Sequence, residues 1–121
     1  MSGSLAARRL WSSYGAMRAT AFLGGSSNLY ALVRESIACA EQLMGDERVV
    51  AFALAKIFDD LAMRYDGAAL TAETAAILWS QLDQPIAACI DFVSGKPFAG
   101  TLSQLLVAVV DAFLDARSKV A

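Results

Sequence analysis

Residues 101–120, TLSQLLVAVVDAFLDARSKV, decide the fold class of this chain. Thr101 and Gln104 stand three residues apart at the head of an apolar run. That spacing is a capping box, in which the hydroxyl and the amide each satisfy a backbone N–H that the first helical turn leaves free. Behind it, Leu102, Leu106, Val109 and Phe113 recur at helical spacing, and Leu105, Val110 and Leu114 widen the stripe. Only Ser103, Asp111, Asp115 and Ser118 clearly want water. The stretch predicts an amphipathic helix running almost to the C-terminus.

The rest of the chain follows the same grammar. Ala and Leu dominate, strict alternation is absent and β-branched runs are short, so every long segment predicts helix. Gly24-Gly25-Ser26-Ser27 ends a first helix that begins near Ser4. Ser27 or Asn28 caps a second, which runs to Gly45. Asp46 caps a third that continues to about Tyr65, where Asp66-Gly67 marks a turn. Thr71 caps a fourth, with Glu73 favourably placed in its first turn. Pro85 predicts a kink or break at Gln84, and Gly95-Lys96-Pro97 stops that helix. The expected fold is all-α: one domain over residues 1–121, an antiparallel bundle of four to five helices with helix four kinked near Pro85.

Composition narrows the chemistry. The 121 residues include no histidine, although 57% are hydrophobic. Ser–His and Cys–His catalysis and Cys/His zinc sites are therefore excluded. A net charge of -2 and a pI near 4.9 argue against a nucleic-acid partner. A membrane span needs about 20 apolar residues. The best runs, Val49 to Ala55 and Leu105 to Val110, are closed by Lys56 and Asp111. A mean hydropathy of +0.49 nevertheless leaves more apolar surface than a small domain can hide, and the surplus calls for a partner. The stretch before Glu35 holds Arg8, Arg9, Arg18 and Arg34 and no acid. That is the composition of a transit peptide, but a retained helix suits it better, and Ser12, Ser13 and Arg18 interrupt any secretory core. The expected compartment is the cytoplasm.

Two groups of residues are candidates for contact surfaces. In the third helix Val50, Leu54, Ile57, Leu61 and Tyr65 form the core stripe, while Val49, Phe52 and Met63 fall off it. The last helix is similarly two-faced. Five short helices cannot easily surround two central ones, so Phe52, Met63, Leu105, Val110 and Leu114 are assigned to a homo-oligomer interface. The first helix combines Arg8, Arg9, Trp11, Tyr14, Arg18 and Phe22. Exposed arginine with aromatics is typical of protein-contact hot spots, which makes Arg8, Arg9, Trp11 and Arg18 candidate partner-binding residues. The competing reading puts Trp11 and Tyr14 in the core, with the arginines lying along the surface. The acid-free helix is matched in charge to the rest of its own molecule or to a neighbouring copy.

Other features read as structural. Cys39 and Cys89 sit among small apolar residues and are expected to be buried thiols. Asp59-Asp60, with Asp66, superficially suggests a metal motif. No second acidic motif or phosphate clamp accompanies it, and a solvated helix face with ordinary i,i+4 pairs to Lys56 and Arg64 explains it. The segments 37–45 and 87–95 are alike, and each precedes a helix ending in Leu-x-x-Arg, at Arg64 and at Arg117. This is either a duplicated hairpin or a chance likeness of Ala-rich helices. No phosphate loop, nucleotide fingerprint, nucleophile elbow or CxxC motif occurs. No catalytic residue, metal ligand or cofactor is therefore expected. The leading expectation is a non-enzymatic protein-interaction module: a small adaptor, chaperone-like or regulatory subunit acting as a homodimer or larger homo-oligomer. The alternatives are a helical module holding an apolar small molecule in its core or dimer seam and, more weakly, a histidine-free enzyme using Asp59 and Asp60.

Overall fold

A computed structural model describes residues 2–23, 29–65 and 71–120, with the side chains of 2–4, 20–23, 65 and 72 left aside. Among the described residues the only regular secondary structure is helix: α1 (Ser2–Leu23), α2 (Leu29–Glu41), α3 (Gly45–Tyr65), α4 (Ala72–Val93) and α5 (Leu102–Val120). Each of α1 to α4 packs on its two neighbours in a ring, α1 on α2, α2 on α3, α3 on α4 and α4 back on α1. The fifth helix lies outside this ring, in the groove between α3 and α4. Ala7, Arg8 and Trp11 lie beside the 90–97 end of α4, whereas Arg18 and Ala19 lie beside Ala75 and Ala76. The α1–α4 pair therefore runs antiparallel.

The helix ends show local chemistry at work. At α5 both halves of the capping box form: Gln104 N–H donates to Thr101 Oγ1 at 3.1 Å, and Thr101 N–H donates to Gln104 Oε1 at 2.9 Å. Thr71 caps α4, its hydroxyl accepting from Thr74 N–H at 3.1 Å. The α2–α3 corner differs from expectation. Helix α2 stops at Glu41, and Gly45, with φ of +64°, opens α3. Asp46 lies in the first turn of α3, where with Glu47 it complements the helix dipole. Helix α4 runs continuously from Ala72 to Val93 with Pro85 inside it, so of the kink or break expected at Gln84 the break does not occur. Proline removes one backbone donor there, but tertiary packing on both sides holds the helix together: Leu82 and Ile86 are fully buried. The expected break at residues 24–27, the cap at Ser27 or Asn28 and the turn at Asp66-Gly67 lie outside the described residues.

The core joins all five helices. Val50, Leu54, Ile57 and Leu61 are buried as the spacing in α3 required; the side chain of Tyr65 lies outside those described. Phe58, absent from that stripe, is fully buried as well. Its ring stacks on Tyr14 of α1 at 5.8 Å between centroids, and Trp79 of α4 meets Tyr14 edge-on at the same distance. One aromatic cluster thus ties three helices together. Cys39 and Cys89 are both buried and free, on α2 and α4, which do not touch among the described residues.

The groove between α1 and α4 and the outer face of α5

Tyr14 and Trp11 divide between the two roles open to them. Tyr14 is buried, and Trp11 stays 43% exposed. The Tyr14 hydroxyl donates to Asp83 Oδ1 at 2.5 Å, and Arg18 pairs with Asp83 Oδ2 at 2.9 Å. Burial, then the hydrogen bond to Asp83, push the Tyr14 phenol well above the usual tyrosine range. This group therefore bolts α1 to α4 and does not move a proton near neutral pH. Trp79 Nε1 is buried beside it with no hydrogen-bond partner among the described residues.

Above this bolt the α1–α4 seam is open. Three recesses follow one another along it. The first is bounded by Arg8, Trp11, Asp91 and Lys96, the second by Trp11, Gly15, Arg18 and Asp83, and the third by Gly15, Ala19, Ala75, Ala76 and Trp79. The third holds about 640 Å³ and is mostly apolar. Gly15 is the saddle between the second and third. A side chain added there would meet nothing within 4 Å, so packing does not require a glycine in the middle of this helix. Arg9 faces Glu35 at 3.9 Å, while Arg8 is exposed and makes no ion pair among the described residues. The candidate partner-binding residues Arg8, Trp11 and Arg18 thus line one seam, whereas Arg9 turns towards α2.

The candidate interface residues separate. Leu105 is 2% exposed and belongs to the core, because α5 turns this side towards α3 and α4. Its assignment to an oligomer surface is corrected accordingly. Phe52 is half-buried, with Arg48 over its ring at 5.4 Å, and Met63 is exposed on α3. Val110 and Leu114 are exposed on α5 and are joined by Val107, at 57% exposure, which the sequence reading did not single out. Residues 107, 110 and 114 form a second apolar stripe on α5, opposite the buried Leu105, Val109, Phe113 and Ala116.

The carboxylates of α3 are otherwise engaged. Asp60 accepts from Arg64 through Oδ1 and from Arg117 of α5 through Oδ2, both at 3.1 Å. The two arginines of the matched Leu-x-x-Arg segments therefore meet at one carboxylate and pin α5 to α3. Lys56 pairs with Asp59 at 3.9 Å, one residue from the partner anticipated. Among the described residues no cluster of acids or cysteines is arranged to hold a metal ion, and no helix is long and apolar enough to cross a membrane.

Gly15, Ala75, Ala76 and Asp83 are among the groove residues that sequence reasoning missed. A mid-helix glycine was a readable signal for the first. The others depend on which side of α4 faces α1. Compared with protein-family models, curated proteins and solved structures, the chain shows no match to any of the three.

Proposed function

We propose that this chain is a non-enzymatic protein-interaction module that acts as a homo-oligomer. The observation that carries the reading is the stripe Val107, Val110 and Leu114, an apolar helix face that no described residue covers although all five helices already contribute to the core. A stripe at helical spacing on an ordered helix suits a packed contact with another protein surface. The open α1–α4 seam, with Trp11 at its edge, is a second such surface. Analytical ultracentrifugation across micromolar concentrations tests self-association. The expected result is a mass above the monomer, and a monomer at every concentration overturns it.

The apolar recess beside Trp79 favours a second reading, in which a small apolar molecule binds between α1 and α4. Its volume of about 640 Å³ falls within the usual range of ligand pockets. Native mass spectrometry of the purified protein is expected to show an added mass if this reading holds. Retention of that mass in Gly15→Leu, which fills the recess, would sink it.

A further inference from the structure

We propose that the α1–α4 groove of one copy receives the outer face of α5 from a second copy, head to tail. The proposal rests on the homo-oligomer reading and specifies its two surfaces. The molecule itself shows what such a groove takes: on the other side of α4, the α3–α4 groove is filled by an amphipathic helix, α5. The α1–α4 groove has the same two-helix walls and, among the described residues, no helix in it.

The outer face of α5 matches it in size and charge. From Val107 to Leu114 is about 10 Å along a helix, and from Trp11 to Ala19 is about 12 Å. The groove floor at Gly15 lets a facing backbone come close. Helix α1 carries no acid, and its Arg8 makes no ion pair among the described residues. Beside the α5 stripe, Asp111 is exposed and also makes no ion pair among the described residues. With the stripe laid along Trp11 to Ala19, Asp111 sits midway, against the acid-free wall of α1 between Arg8 and Arg18. Two α5 faces stacked on each other would instead bring Asp111 against Asp111, with Arg117 already held by Asp60. A head-to-tail contact leaves each copy with one unused surface, so it grows into chains or closes as a ring.

Two variants separate this from every symmetric arrangement. Gly15→Leu fills the groove and leaves α5 intact; Leu114→Asp spoils α5 and leaves the groove intact. Both positions are exposed, and circular dichroism is expected to show unchanged helicity. Ala76→Arg serves as a second groove block. In sedimentation velocity each variant alone is expected to be monomeric, while an equimolar mixture forms a dimer that grows no further. Arg8→Asp is expected to weaken wild-type association a few-fold at low salt and less at high salt. If the mixed variants stay monomeric while wild type associates, or if Gly15→Leu and Ala76→Arg still self-associate, the docking is wrong but the homo-oligomer reading stands. A wild type that never associates overturns both.

Discussion

Tyr14 shows how one side chain can decide a seam. Its ring fills the space between Phe58 and Trp79, and its hydroxyl reaches out to Asp83. Tyr14→Phe keeps the ring and removes the bond. The expected loss is about 1 kcal/mol in urea denaturation, because Asp83 retains Arg18 and access to water. No change in stability would mean the hydroxyl contributes nothing to the bundle. Gly15 makes the opposite case. It lies mid-helix with open space where a side chain would point. Gly15→Ala is therefore expected to raise stability by about 0.5–1 kcal/mol, the usual helical penalty of glycine. A destabilised variant would show that the seam closes over this position in solution. The sequence named Tyr14 as a core candidate, but its partner Asp83 lies 69 residues away, and no local pattern connects them.

At the scale of elements, α5 was the most legible. Its capping box depends on two side chains and the first turn alone, which is why reading it required no tertiary knowledge. Thr101→Ala is expected to cost about 1 kcal/mol, measurable as a lowered thermal midpoint. A midpoint unchanged from wild type would show that docking against α3 and α4 holds the helix end without the cap. Helix α4 was less legible, because the local effect of Pro85 is opposed by burial on both sides of it. Helix α2 ends at Glu41, four residues before the Gly45 that its composition predicts. Gln42, Leu43 and Met44 have helical propensity, yet the chain must turn to bring α3 back onto α2.

The whole molecule responds to alkali through its buried acids. Burial pushes the Cys89 thiol up from the usual 9.0 to about 12, and raises Cys39 and Tyr14 in the same direction. The unfolded chain releases these protons first. Stability is therefore complete below about pH 9 and falls as pH rises towards 12, by up to about 1.4 kcal/mol per pH unit for each group. Urea midpoints measured at pH 7 and pH 10.5 check the direction, and Cys89→Ala should flatten part of the decline. A midpoint that rises with pH contradicts the burial of these groups. Across the whole chain, charge is also segregated. The acid-free α1 faces α4 and α2, where it meets Asp83 and Glu35, yet Arg8 makes no ion pair among the described residues.

By itself the sequence determined that the chain is helical, where most helices start, and that histidine chemistry is absent. These properties are set within a few residues of one another, by capping groups, propensity and composition. The tertiary structure alone decided which apolar face turns inward. On α5, Leu105 and Val107 stand two residues apart and are equally apolar, yet one enters the core and the other faces out. The wheel of α3 likewise left out Phe58, which the fold buries against Tyr14. Helical periodicity shows that a helix has two apolar sides. Only the position of its neighbours determines which side loses its water and which is left for another surface.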